Sequence, residues 1–359
     1  MIEYLEGEHK QQCRKLWEEA FPEDSREFCD YYFREKIKDN RILALTDDGQ
    51  VQAMLHRNPY VVRAREYDWQ VDYLVGVATC REKRHRGYMR RLLLKMMGDM
   101  RQEKMPFCFL MPAAEAIYRP FGFVFVYRQQ GFVMDREKEA GVLQVKGLIP
   151  EVDSDEYRDR QLLAAEWMER WLGRHYQLYA KRDQAYLRRL ADEMASEDGT
   201  LDLFYDGEKI AALAGWWGRI KREQRLLYGD EPYVTMADGP GKPAIMARII
   251  SPEVFVNVIR LRKDAGRGHG CILPLRLQDP LIPENDGLWL WHLERERSWL
   301  ERAAWSEGAI QEQEGFLPRL SLTIEEMTAW LFGYEIPDAV RPYEGVIEPL
   351  QGIFLDEVV

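Results

Sequence analysis

The sequence predicts an α/β (α+β) protein in which mixed sheets follow one another along the chain. Three observations carry this. The chain has 359 residues, about 2.4 times an ordinary domain of ~150, so two or three units are expected. Residues 1–135 alternate helical and strand apolar periods in the order of two helices, antiparallel strands, a strand-loop-helix and a strand-helix-strand, the layout of a mixed sheet carrying helices. Composition shifts at the polar, charged stretch 136–160 and again at Gly239-Pro-Gly-Lys-Pro243, giving expected units of 1–135, 136–242 and 243–359.

The elements follow in order. Cys13, Leu16, Trp17 and Ala20 form one helical stripe over 8–20. Pro22-Glu-Asp-Ser25 breaks it and caps a second, aromatic helix with Phe28, Tyr31, Tyr32, Phe33 and Ile37. Strands are expected at Arg41–Thr46, Val51–Ala64 and Tyr67–Thr79, the first two joined by an Asp47-Asp48-Gly49 turn. Met89, Leu92, Leu93, Met96, Met97 and Met100 mark a strong amphipathic helix. A strand at Phe107–Met111, a short helix at Ala113–Tyr118 and a strand at Phe123–Val133 close the first unit. The second carries a helix through Leu162–Trp171, a strand at Tyr176–Ala180, a helix at Ala185–Ala195 and a hairpin turning at Asp206-Gly207 and ending in Trp216-Trp217. The third holds an apolar Ile245–Ile250, a helix opened by Ser251 and Pro252, strands at Cys271–Gln278 and Gly287–Glu294, and a capping box at Thr323–Glu326.

Composition excludes several classes. Apolar residues are 46%, charged 31% and aromatic 12%, which is neither disordered nor low-complexity. The net charge of −11 makes nucleic acid and an anionic membrane poor partners. The longest apolar stretch, Ile210–Trp217, is too short for the ~20 residues a bilayer helix needs. The acidic amino-terminal stretch lacks the apolar core of a signal peptide, and five cysteines (13, 29, 80, 108, 271) form no close pair, so reduced thiols and a cytoplasmic location are expected. Six histidines (9, 56, 85, 175, 269, 292) show no ligand spacing, and no metal is expected.

The chemistry concentrates in Leu74-Val75-Gly76-Val77-Ala78-Thr79, the loop Cys80–Lys83, and Arg84-His85-Arg86-Gly87-Tyr88-Met89, which opens the amphipathic helix. Backbone N–H groups at a helix start are unpaired and carry partial positive charge. Gly87 lets the main chain approach a ligand, and Arg84 and Arg86 add cations, so the pattern fits a pyrophosphate. The alternative is a solvated basic face, which would oppose the helix dipole.

Val77-Ala78-Thr79 followed by Arg84-x-x-Gly87-x-Met89 resembles the acetyl-CoA signature of the GNAT N-acetyltransferase superfamily. The resemblance implies that Leu74, Val75, Gly76, Val77 and Ala78 meet the pantetheine arm while Arg84, His85, Arg86, Gly87, Tyr88 and Met89 hold the pyrophosphate. The chain departs from the pattern at Arg81, where many members have Pro, at Arg86, where a second glycine is usual, and at Met89, often Gly or Ala. Ile117-Tyr118-Arg-Pro-Phe121-Gly122-Phe123 narrows the resemblance to the enhanced-intracellular-survival (Eis) branch, and Asp279-Pro280-Leu281 with Asn285-Asp286-Gly287 is similar to its carrier-like domain. That branch implies two tandem GNAT-like mixed-sheet domains, the second without a cofactor motif, a sterol-carrier-protein-like α+β third domain, and a homo-hexamer.

Acetyl transfer to an amine needs a neutral nitrogen, a polarised thioester and a proton for the departing thiolate. By the resemblance Tyr118 is the general acid, and the carboxylate of Val359 is the group reaching the site from the tail; an aromatic packed beside Pro120 and a frayed end are the respective alternatives. Glu357 and Glu115 could face a cationic amine, and Phe28 and Phe33 could wall its pocket or simply form core. The Gly266–Gly270 run follows a helix and reads as a turn, and Trp216-Trp217, Trp289 and Trp291 read as core or interface aromatics. The expectation is an acetyl-CoA-dependent N-acetyltransferase acting on a small amine (aminoglycoside, polyamine or lysine-type). A hydrophobic-ligand carrier and a non-catalytic CoA-binding regulator are the rivals.

Overall fold

A computed structural model describes residues 1–135, 143–150, 154–219, 221–266, 270–303 and 316–357. Strand β1 (Ile2–Leu5) is followed by a 3-10 turn, α1 (Arg14–Ala20) and α2 (Arg26–Arg34). The Ser25 hydroxyl accepts from the Phe28 N–H at 3.0 Å, so the Pro22 break ends in a true N-cap. Strands β2 (Arg41–Asp47), β3 (Gln50–Ala64) and β4 (Tyr67–Thr79) form an antiparallel meander. Its first turn sets Asp48 and Gly49 both at positive φ, the conformation a tight hairpin requires. Helix α3 (Tyr88–Gln102) lays Leu92, Leu93, Met96, Met97 and Met100 on the sheet. Strand β5 (Phe107–Leu110), α4 (Glu115–Tyr118) and β6 (Val124–Gln129) follow.

The strand expected over Phe123–Val133 is broken: β6 stops at Gln129, and β7 (Phe132–Met134) leaves to pair with a later strand. The stretch read as a linker also contains structure. Strand β8 (Gln144–Gly147) lies within it, and α5 (Asp155–His175) begins at a Ser154 cap. All four β8 residues are exposed, so an edge strand with no apolar face left no periodicity to read. Strand β9 (Leu178–Ala180) and α6 (Gln184–Ser196) come next. Strands β10 (Thr200–Asp206), β11 (Lys209–Trp217) and β12 (Glu223–Gly229) then complete an antiparallel sheet in the order β12-β11-β10-β8. Strand β13 (Val234–Met236) takes up β7.

The Gly239–Pro243 turn then delivers β14 (Lys242–Ile249) into the first sheet, antiparallel to both β5 and β6. The apolar run Ile245–Ile250 announced a strand but not its partners. Helix α7 (Pro252–Phe255) has its proline at N1, yet the Ser251 hydroxyl makes no cap and accepts from Arg101 Nη1 at 3.1 Å. Strands β15 (Arg260–Leu261), β16 (Cys271–Gln278), β17 (Gly287–Leu293), β18 (Ser298–Arg302) and β19 (Leu320–Thr323) follow. The last four form a sheet of order β18-β17-β16-β19. The expected capping box opens α8 (Ile324–Leu331). Strand β20 (Ile347–Glu348) pairs with β15, and β21 (Ile353–Phe354) runs parallel to β9, itself paired to β3. The tail therefore returns to the first sheet. Among the described residues no helix is long and apolar enough to cross a membrane.

Candidate active site

Strand β4 is where the sheet opens. It pairs with β5 only at Asp72–Cys108 and Tyr73–Phe109, then runs on to Thr79 while staying paired with β3. From Leu74 to Thr79 its other edge therefore meets no named strand among the described residues, leaving main-chain groups for a ligand. The ladder to β3 slips here: Val75 faces His56 and Ala78 faces Met54, so β4 carries one extra residue. Gly76 sits in that bulge at φ +59°, and a Cβ there would fall 2.5 Å from Trp17 Cζ3. Glycine is required on both counts.

The loop after β4 ends in Gly87, which N-caps α3 at φ +76° with open space around it and no side-chain cap. No acid occupies the first turn of α3, so its N–H groups keep their partial positive charge. Arg84, His85 and Arg86 are exposed around this point, while Tyr88 and Met89 are half-buried. Arg84 Nε donates to the Thr79 carbonyl at 3.3 Å, tying the basic loop to the end of the open strand. Leu74–Ala78 and Arg84–Met89 are thus brought together as one strip, from strand edge to helix start.

Tyr118 ends α4 and packs edge-on to Phe123 (centroids 6.0 Å apart), in one apolar cluster with Leu74, Leu92 and Leu110. Burial pushes its phenol up to about 12. Its turn closes at Gly122 (φ +77°), where a Cβ would meet the guanidinium of buried Arg248. Arg248 Nη2 donates to both Asp279 oxygens at 2.7 and 2.9 Å, and Asn285 Nδ2 donates to Asp279 at 2.9 Å. The Asp279-Pro280 and Asn285 motifs are therefore a brace behind the Tyr118 turn.

A second feature lies on the opposite face of the sheet from α3. Asn58 and Tyr60 of β3, Tyr186 and Glu193 of α6, Lys36 and Glu357 surround a narrow cavity of about 40 Å³. Asn58 stands opposite Tyr73, the last β4 residue paired to β5, and the Tyr73 ring packs at a tilt 5.1 Å from Phe109. The cavity thus begins where the sheet opens. Glu357 is buried and ion-paired to buried Arg182, whose guanidinium lies 4.2 Å over the Tyr186 ring. Burial, reinforced by the Glu357 charge, raises the Tyr60 and Tyr73 phenols. Lys36 pairs with Glu193 at 3.0 Å. Beside the cavity, buried His56 shares a hydrogen bond of 2.8 Å between its Nδ1 and Tyr32 Oη, and burial lowers its pKa to about 3.

Other expected site residues are elsewhere. Phe28 and Phe33 pack with Trp17 and Tyr32 in the core under α2 rather than on the cavity wall, because an apolar helix face is buried most fully there. Glu115 is half-buried and pairs with Arg119 one turn on. Val359 and residues 267–269 of the glycine-rich turn lie outside the described residues. Asn58, Arg182 and Glu193 were missed. The one signal for them is polar His56-Arg57-Asn58 inside an otherwise apolar strand. Among the described residues no cluster of His, Cys, Asp or Glu could hold a metal ion.

Residues 1–126 match the sequence profile of an acetyltransferase (GNAT) domain. No curated protein matches the chain by sequence. Solved structures similar in fold include a conserved protein of unknown function from Enterococcus faecalis V583, described as a probable N-acyltransferase (16% identity, 98% of this chain and 93% of that one, TM-score 0.70). A GCN5-related N-acetyltransferase from Anabaena variabilis is similar at 14% identity, 97% and 94% coverage and TM-score 0.68. Eis1 from Mycobacterium abscessus is similar at 10% identity, 97% and 93% coverage and TM-score 0.65.

Proposed function

We propose, for a chain whose residues 1–126 are an acetyltransferase domain of the GNAT type, that it moves an acetyl group from acetyl-CoA to the primary amine of a small molecule. The observation that carries this is the continuous strip from the unpaired edge Leu74–Thr79 to the uncapped α3 start at Gly87. The strip fits the cofactor chemically. Main-chain donors and acceptors suit the amides of a pantetheine arm, and a bare helix start with Arg84 and Arg86 suits a pyrophosphate. When bound, acetyl-CoA supplies an acetyl thioester, already activated toward an amine.

The chain's residues do the rest. N–H groups of the open β4 edge polarise the carbonyl, and the cavity at Asn58 orients the amine from the other side of the sheet. Tyr118 keeps its proton throughout the physiological range, since burial places it at about 12. That is ~3 units above an ordinary thiol, so its first service to a departing sulfur is a hydrogen bond rather than full proton transfer. Direct attack by the neutral amine is part of the proposal: its lone pair forms the C–N bond, the C–S bond breaks, the sulfur leaves as a thiolate held by the Tyr118 hydroxyl, and the proton lost by nitrogen passes to water.

The finer features of the resemblance belong to the same reading. They are a GNAT-like second unit within 136–242, a sterol-carrier-like unit after the shared strand β14, a cytoplasmic setting and a homo-oligomer. The four-stranded sheet β18-β17-β16-β19 with α8 beside it supports the second of these. Acetyl-CoA consumption with a panel of amines tests the activity, read beside acetyl-CoA binding by calorimetry. Binding with no turnover on any amine would favour a CoA-responsive regulator, and no binding would favour a carrier.

A further inference from the structure

The cavity at Asn58 carries groups that the folded chain leaves unsatisfied. Asn58 is 2% exposed, and neither Nδ2 nor Oδ1 has a hydrogen-bond partner. Glu193 is also 2% exposed; Lys36 takes its Oε2, but its Oε1 has none. Both residues line the same cavity. Buried polar atoms are nearly always paired, and leaving them unpaired costs stability, so their shared position points to a ligand that completes them.

The complement can be written group by group. Glu193 Oε1 and Asn58 Oδ1 are acceptors, and one ammonium can donate to both. Asn58 Nδ2 is a donor and needs an oxygen beside that ammonium. The charged wall is balanced: Lys36, Arg189 and Arg225 stand with Asp39, Glu193 and Glu357, Asp39 lying 3.5 Å from Arg189 and Glu193 3.0 Å from Lys36. A polycation meets no surplus of negative charge there. The volume, about 40 Å³, matches roughly three waters, enough for a short arm and too little for a sugar ring.

We propose that the acceptor is a slim monocationic amine with an oxygen acceptor next to its ammonium, an amino alcohol or amino acid, and that Asn58 and Glu193 select it. This rests on the acetyl-transfer reading and narrows it away from aminoglycosides and polyamines.

The test compares ethanolamine and serine with n-butylamine, spermidine and an aminoglycoside, using the full chain and its Asn58→Leu and Glu193→Gln variants. The wild-type kcat/KM for ethanolamine or serine should exceed that for butylamine and spermidine about tenfold. Asn58→Leu should abolish that preference, costing ethanolamine and serine about tenfold more than butylamine, while leaving acetyl-CoA affinity unchanged. Glu193→Gln should weaken every amine. Ethanolamine ahead of serine assigns the oxygen as hydroxyl, and the reverse as carboxylate; either upholds the proposal. Preference for spermidine or the aminoglycoside, or an equal loss on all acceptors in Asn58→Leu, overturns it. Thermal stabilisation by ethanolamine and serine is read in parallel. If no amine is acetylated, a Tm rise in wild type that Asn58→Leu lacks upholds the ligand class and refutes acetyl transfer alone. No rise refutes the ligand class itself.

Discussion

Replacing Gly76 by alanine attacks the opening of the sheet at one atom. Its φ of +59° costs a residue with a side chain roughly 1–2 kcal/mol. The new Cβ would stand 2.5 Å from Trp17 Cζ3, 3.1 Å from Cε3 and 3.3 Å from His56 Cδ2. Trp17 cannot step aside: Tyr32 lies 4.2 Å and Phe21 4.9 Å from its ring, and its Nε1 donates to Asp24 at 2.8 Å. Overpacking of this kind adds roughly 1–3 kcal/mol. The expected loss of stability is therefore about 2–5 kcal/mol, relieved in part if the bulge flattens and β4 takes a regular register against β3. That relief turns the N–H and C=O groups of Val75–Ala78 and spoils the cofactor edge. Urea denaturation and acetyl-CoA calorimetry should show a lower midpoint and at least a tenfold weaker Kd. Adding Trp17→Leu should return the steric share of stability but not the backbone share. Lost stability with unchanged acetyl-CoA affinity would refute the role given to the bulge, and unchanged stability would refute the steric reasoning itself.

Three further outcomes are expected. Tyr118→Phe should lower kcat at least tenfold with acetyl-CoA affinity kept; unchanged kcat would leave Tyr118 a packing residue. Arg84→Ala with Arg86→Ala should weaken acetyl-CoA about tenfold and flatten its salt dependence with no change in Tm, since both side chains are exposed; calorimetry at two ionic strengths decides. His56, lowered to about 3 by burial, binds its proton more weakly folded than unfolded. Its contribution is complete above the unfolded value near 6.5 and is lost as pH falls toward 3, about 2 kcal/mol by pH 5. Urea midpoints between pH 5 and 8 should show that slope, and His56→Gln should remove it; a slope that persists belongs to another group.

The strip proposed for the cofactor was legible because it is local. An open strand, a basic loop, one glycine and a helix start lie within Leu74–Met89, and sequence order alone sets them side by side. Tyr118 was legible through its neighbours Phe121-Gly122-Phe123. The proposed acceptor cavity was legible only at Glu357, since Asn58, Arg182 and Glu193 join it only after three distant segments fold together. Phe28 and Phe33 show the converse ambiguity: a helix face rich in aromatics has the same spacing whether it walls a ligand or a core, and here both side chains lie in the core. The second boundary failed to announce β14's destination for a related reason. An apolar run specifies that a strand is buried, but only its register partners, here Phe107–Leu110 and Val124–Gln129, say where.

Strand β14 also sets a clock. Residues 1–126 match the acetyltransferase domain profile, yet the gap between β5 and β6 stays empty until Lys242–Ile249 leaves the ribosome. At ordinary synthesis speeds of ~5–20 residues per second, residues 127–249 take roughly 6–25 seconds. Through that interval the nascent chain carries an unzipped edge at Phe107–Leu110, all four residues of which end up fully covered. The excised amino-terminal segment never leaves that state, so a gene fragment ending near residue 126 encodes a sheet without the strand that joins β5 to β6.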